Sequence, residues 1–432
     1  MNDTKRLSPS ELARATPATR DRYTDFLRAF SIGVVVLGHW LLAIITLRDG
    51  RFDGANALEI IPGLWALTWV LQVMPIFFFV GGFSNAASWR SEVRKGGSYG
   101  NWLRARVARL VGPTIVFAAV WTTLALVMRA VMGAPGRGLD AGLALLAIPL
   151  WFLAVYVLVV AVAPAMHALH RRFGLRALLA MAAGAALVDL VRLTVAPPVG
   201  LLNFAIVWLF AHHVGFFYED GSLVRLGRRA HRIMAALGLA LVTILVGSGI
   251  YAPSMVGIET AKASNTSPPS VVLVALTLWL VGLAMLARPR VSSWIANERW
   301  WTLVIVANAR IMTMFLWHMT ALFVVAVTAY PLGFPQPGAG SGTWWLSRPV
   351  WIAMLAVALV ALVAIFGRFE RPAHADAPAP GRARAIAGIG LLCAALVGIT
   401  TKGFAEPGWA VLSLTGLAGG SRLLRVRLSL KA

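Results

Sequence analysis

Apolar runs long enough to cross a lipid bilayer recur eleven times along this 432-residue chain, and nothing else in the sequence constrains its fold as strongly. A hydrocarbon core takes about 20 predominantly apolar residues per helix. Runs of that kind fall near residues 26–47, 64–87, 111–132, 142–166, 176–196, 200–217, 233–252, 270–287, 302–329, 349–367 and 385–402. Inside lipid, a spanning segment has no water to satisfy its backbone, so each run reads as a helix. The expected fold is all-α, a polytopic transmembrane helix bundle of about 10–11 spans. A polar segment over 1–25 precedes the membrane domain of 26–402, and a tail follows over 403–432. The first run is too long for the apolar core of a cleaved signal and reads as a retained span.

Composition agrees: 59% of residues are hydrophobic and 13% are charged, against roughly a quarter charged in soluble domains. A net charge of +22 raises the question of nucleic acid. The charges sit in short connections between apolar runs, so no nucleic-acid partner is expected. Basic residues crowd into alternate connections. The N-terminal segment and the stretches 88–110, 167–176, 219–232, 288–301 and 367–384 hold twenty-five, and the intervening ones hold seven. Lys and Arg accumulate on the cytoplasmic side. The N-terminus is therefore expected inside, with odd-numbered spans running outward, in the cytoplasmic membrane. The tail resists this scheme. Arg422, Arg425, Arg427 and Lys431 follow an eleventh span that ends outside, so either that span is wrong or 408–419 folds back as a re-entrant or interfacial segment. The lone Cys393 lies in an apolar run, excludes an intramolecular disulfide and reads as a packing residue.

Ionisable side chains at membrane depth are costly and commonly mark function. The candidates are Arg28, His39, Asp189, His212, His213, Arg310 and His318. Arg28 and His39 share the first span, eleven residues apart. At about 100° per residue that spacing returns to within about 20° of the same face. Their separation along the axis is about 16 Å. Arg28 lies near the cytoplasmic edge and His39 past the middle. The ninth run repeats the order with Arg310 and His318 at similar depths, eight residues apart and about 80° out of register. Asp189 is a candidate to neutralise Arg310. His212 and His213 are adjacent, so their side chains point about 100° apart and suit a structural role better than one metal ion. No metal site is expected. Arg104, Arg106 and Arg109 precede the third span, and Arg-rich faces bind phosphates through forked hydrogen bonds.

In order along the chain, these segments resemble the acyltransferase 3 family of membrane O-acyltransferases. The first-helix segment carries Arg28 and His39 with ten residues between them, and Asp25 and Ala29 also fit. PIFFFVGGFSNAAS from Pro75 resembles the family's Phe-rich, small-residue second helix. RVARLVGP, from Arg106 to Pro113, resembles its paired arginines ahead of a proline. WFL at Trp151 to Leu153 and FLWH at Phe315 to His318 match later helices. The sequence departs from the pattern at Asn308, Ala309 and Arg310, where a Ser-Tyr-like stretch is common. It departs again at Val80 and Gly81, where Leu and Ser are common. An eleventh span is extra, and no hydrolase-like domain is expected after the membrane domain.

The resemblance implies a stand-alone membrane enzyme that takes an acyl group, often acetyl, from cytoplasmic acyl-coenzyme A. It passes that group to a hydroxyl of a carbohydrate or lipid-linked acceptor. No tightly bound cofactor is implied; acyl-coenzyme A is the donor substrate, and membrane lipids are the surroundings. Carried over, His39 is the essential histidine and Arg28 its companion, and His318 completes the candidate catalytic set. Arg106 and Arg109, with Arg104 and Arg310, are candidate contacts for the donor. His39 would act as a general base or accept the acyl group itself, while Ser84 and Asn85 either cap the second helix or polarise the carbonyl. The competing reading is a transporter or lipid flippase with a buried His/Arg pathway; no internal repeat of the kind many transporters carry is visible.

Overall fold

A computed structural model describes residues 8–17, 19–132, 137–257, 264–370 and 378–426. Lys5, Arg6, Lys262, Arg371, Arg427 and Lys431, counted above, lie outside the described residues. Among the described residues, eleven helices are long and apolar enough to cross a membrane. They are Arg22–Leu42, Leu64–Arg94, Tyr99–Val131, Gly142–Phe173, Leu175–Thr194, Pro197–Glu219, Gly227–Gly247, Val271–Trp294, Ile311–Ala329, Gly342–Glu370 and Arg382–Lys402. The protein is an all-α polytopic membrane bundle.

Several runs are not the single helices their hydropathy implies. The first helix ends at Leu42, and strands β1 (Ala43–Arg48) and β2 (Arg51–Asn56) follow as an antiparallel hairpin. Asp49 and Gly50 turn it, both at positive φ (48° and 73°), between the facing pair Arg48 and Arg51. A two-residue Asp-Gly turn with both residues left-handed matches the natural strand twist. The second run breaks at Gln72 and Val73, just before Pro75. An outer loop satisfies the break: Gln72 donates to the Met255 carbonyl at 3.0 Å, and Met255 N–H donates to Thr68 Oγ1 at 2.9 Å. The ninth run is two helices, Glu298–Ala309 and Ile311–Ala329, with Arg310 non-helical between them (φ −129°, ψ 17°).

The chain forms two compact units, and the first and second spans each contribute to both. One unit comprises 1–35, 66–84 and 169–311. Its helices approach closely where side chains are absent. A Cβ on Gly82 would strike the His212 carbonyl, and one on Gly215 the backbone of Phe79 and Phe83. Gly238 and Gly282 likewise let the seventh and eighth spans touch. Small residues at membrane helix contacts permit this approach. Asp189 belongs here, and its partner is not Arg310. The Asp189 carboxylate pairs with Arg192 Nε at 2.9 Å and accepts from Asn203 Nδ2, the Tyr251 hydroxyl and Val271 N–H. Arg192 is three residues along the same helix, which puts the two side chains on one face. Asp189 is a clamp between the fifth span, the sixth and the loop after the seventh. The adjacent His212 and His213 are both buried and both pack edge-on against Phe216. His213 Nε2 lies 3.2 Å from His170 Nδ1, and His170 Nε2 lies 3.0 Å from Asp220.

The other unit comprises 36–65, 85–168 and 312–432. Its last two helices resolve the conflict over the tail. Helix Pro407–Leu423 packs antiparallel along Arg382–Lys402, with Gly388 against Gly420 and Leu424, Ala395 against Gly416 and Gly398 against Ser413. The eleventh span stands, and the chain returns beside it. Arg422 and Arg425 therefore lie at the end where that span begins, the end the basic connections assign to the cytoplasm. Arg425 Nη1 donates to the Pro378 carbonyl at 3.0 Å, and Arg104 Nη1 to the same oxygen at 3.2 Å.

Candidate active site

His39 and His318, 279 residues apart in sequence, meet in the second unit. His39 Nδ1 lies 2.7 Å from His318 Nε2. The ring planes are 15° apart with centroids 5.0 Å apart, so the bond runs close to both ring planes. The protonation pattern follows from the partners. His318 Nδ1 lies 2.6 Å from the Phe315 carbonyl, which can only accept, so that nitrogen carries a proton. In the neutral ring His318 Nε2 is then an acceptor, and His39 Nδ1–H donates to it. The lone pair of a neutral His39 is thereby fixed on Nε2. His318 is fully buried, whereas His39 is half-buried and keeps an open side.

The helix Ile311–Ala329 is anchored at several levels. Its broken start is met by the Glu370 carboxylate, which accepts from Met312 N–H (2.9 Å), Thr313 N–H (3.1 Å) and Thr313 Oγ1 (2.7 Å). A carboxylate at a helix N-terminus satisfies orphan donors and complements the helix dipole. Trp40 Nε1 donates to the His318 carbonyl at 2.9 Å, and Trp121 Nε1 to Thr320 Oγ1 at 3.0 Å. Phe315 packs edge-on against Phe152, and Trp317 against Phe117. His318 is thus gripped one turn before its ring, at its own carbonyl and two residues beyond.

Arg28 lies eleven residues before His39 on the same unbroken helix. Its Nη2 donates to Ser84 Oγ at 2.6 Å, and its Nη1 pairs with Asp25 at 3.3 Å. The arginine side chain is 28% exposed and Asp25 10%. Asp25 also pairs with Arg20 at 2.6 Å, and Asn308 Nδ2 donates to the Asp25 carbonyl at 2.9 Å. Nearby, Tyr218 donates to Asp21 at 2.8 Å and receives from Arg288 Nε at 3.0 Å. These arginines, carboxylates and hydroxyls form a mesh within the first unit that hydropathy alone does not reveal.

The other predicted arginines have distinct surroundings. Arg106 makes a forked contact with Asn85 Oδ1, at 3.0 Å from Nε and 2.6 Å from Nη2. Arg104 is buried and bonds Asn101 Oδ1 as well as the Pro378 carbonyl. Arg109 is exposed, and Arg310 is half-buried at the helix break. Ser84 and Asn85 cap nothing, because their helix runs on to Arg94; each instead receives a guanidinium. His170 and Asp220 were missed by sequence reasoning, since nothing local signals that His170 will meet His213. Among the described residues no cluster of His, Cys, Asp and Glu is arranged to hold a metal ion.

Residues 21–367 match the model of the acyltransferase 3 family, described as an acyltransferase domain. The match begins just before Arg28 and ends beyond His318. No curated protein and no solved structure matches the chain. The chain belongs to the acyltransferase 3 family and is a multi-pass membrane acyltransferase.

Proposed function

We propose that this enzyme moves an acyl group, acetyl by preference, from cytoplasmic acyl-coenzyme A to a hydroxyl of a carbohydrate or lipid-linked acceptor at the cytoplasmic membrane. The observation that carries the reading is the bond between His39 and His318, which leaves a lone pair on the open-sided ring of the pair. His39 Nε2 takes the acceptor's hydroxyl proton as the oxygen attacks the thioester carbonyl. The C–S bond breaks, an ester C–O bond forms, and the departing thiolate takes the proton back from His39. No proton is gained or lost overall. A base positioned in this way contributes about 10²–10⁴ in rate. His318 holds His39 in the useful tautomer and shares the transient positive charge.

Donor binding is assigned to the basic end. Coenzyme A phosphates are multiply charged and suit forked arginine contacts. In this proposal Arg106 and Arg109, both in the second unit, face the donor, and Arg104 positions the neighbouring backbone through Pro378. The test is direct. Membranes containing the protein are supplied with acetyl-coenzyme A labelled in the acetyl group, and envelope glycans and lipids are analysed by mass spectrometry. Labelled ester is expected with the wild-type protein and not with His39→Ala. Labelled ester at equal levels in both would refute the assignment. Release of no thiol and no ester by the wild type would favour a transporter instead.

A further inference from the structure

The second unit holds a buried cation without a carboxylate partner among the described residues. Arg348 is 7% exposed, near the start of the helix Gly342–Phe366. Its guanidinium is flanked by Trp344 (4.5 Å to the ring centroid) and Trp351 (5.7 Å). It makes two long hydrogen bonds, both 3.3 Å: Nε to the Trp344 carbonyl and Nη2 to Ser347 Oγ. Among the described residues no carboxylate pairs with it. A guanidinium has five N–H donors, and these two bonds leave most of them unused. Burying a charge is costly unless a partner compensates it.

A second unused donor lies in the same cluster. Trp351 Nε1 is buried with no hydrogen-bond partner, on a side chain 1% exposed. The Trp351 ring lies parallel to Tyr330 (centroids 5.2 Å apart, 8° between planes), and Phe334 packs on its margin. Tryptophan and tyrosine are common at membrane interfaces, where their polar tips reach water. Trp344 and Trp351 instead bury their rings beside an arginine. A guanidinium held only by long bonds to neutral acceptors, beside a buried indole N–H without a partner, describes a site for an oxyanion.

We propose that Arg348 and Trp351 bind a phosphate or carboxylate group of the acceptor substrate, so that the acceptor is an anionic molecule. This rests on the acyltransferase reading. The site lies at the start of the tenth span, the end that the basic connections assign to the outside. Twelve residues of helix separate Tyr330 from His318, about 18 Å along the axis. A molecule that reaches from Arg348 to His39 is therefore an extended one. The connection between the ninth and tenth spans carries Gln336, whose side-chain oxygen accepts from Leu47 N–H of β1 at 2.6 Å.

The test uses purified full-length protein in detergent, with thermal unfolding as the readout. The probes are glucose 6-phosphate, glucuronate, neutral glucose and dihexanoylphosphatidylglycerol. Both anionic sugars are expected to raise Tm of the wild type and glucose is not. Arg348→Gln is expected to abolish the shift. Trp351→Phe, which keeps the ring and removes only the N–H, is expected to weaken anion affinity about tenfold, the equivalent of one good hydrogen bond to a charged group. An equal shift in Arg348→Gln, or no shift of the wild type by either anionic sugar, would overturn the proposal. A shift by the phospholipid alone would overturn it too, by assigning the site to a lipid headgroup. Thiol release from acetyl-coenzyme A without added acceptor separates this site from the enzyme reading. Its absence in the wild type would fail the enzyme reading and leave the binding results standing.

Discussion

His39 and His318 divide one task. The bond from His318 Nδ1 to a backbone carbonyl propagates through two imidazoles and fixes which nitrogen of His39 carries the lone pair. Removing the far ring therefore acts through the near one. His318→Ala is expected to lower the transfer rate about 10²-fold or more at unchanged donor KM, because His39 loses its orientation and tautomer. His318→Gln, which offers a carbonyl oxygen to His39 Nδ1–H, is expected to recover part of that loss. Rates for the three proteins, normalised to folded enzyme, check the point; equal rates for His318→Ala and wild type would contradict it. The sequence placed both histidines at similar membrane depth and marked each as unusual. It could not pair them, since their contact depends on how distant helices pack. Asp189 shows the same gap: its acidity within an apolar run was visible, but its true partner was three residues away rather than on the ninth run.

Helices here were legible from hydropathy, but their interruptions were not. The Asp49-Gly50 pair is a strong local hairpin signal, yet it followed an apolar run that continued into β1 and obscured where the first helix ends. The break at Arg310 carried no such mark, because the group that stabilises it, Glu370, is 60 residues away. Glu370→Ala is expected to destabilise the protein by about 1–2 kcal/mol, the cost of losing a helix cap, and to slow transfer by loosening the turn before His318. Glu370→Gln should lie between, and Tm with turnover measured on the same samples checks this. The returning helix Pro407–Leu423 yields a topological prediction. In a Cys393→Ala background, Arg422→Cys is expected to react with a membrane-impermeant maleimide in inverted vesicles and not in intact cells. The opposite labelling would place the tail outside.

Beyond the sixth span, the carboxyl of Asp220 titrates below its usual range. Partial burial, the largest influence, raises it, but bonds from Ser222 and His170 together outweigh this. A depressed carboxyl contributes stability that is complete above its ordinary value near ~3.9 and is lost as pH falls through the lower folded value. The wild-type Tm is therefore expected to fall more steeply than that of Asp220→Asn on acidification below about pH 4. Parallel Tm profiles would show that the Asp220–His170 contact contributes nothing to folding.

At the scale of the whole chain, basic residues concentrate in alternate connections, the pattern that orients membrane spans. The histidine pair is carried on the first and ninth spans. The family match covers both, so enzyme class follows from the chain while the acceptor does not. The account depends most on His39 as the group that moves the proton. The most direct measurement is thiol release from acetyl-coenzyme A by purified wild-type protein and by His39→Ala, reconstituted at equal density and compared for insertion and Tm. The account predicts at least about a 10²-fold loss in the variant with insertion and Tm retained. Wild-type turnover in a correctly inserted His39→Ala protein would contradict it.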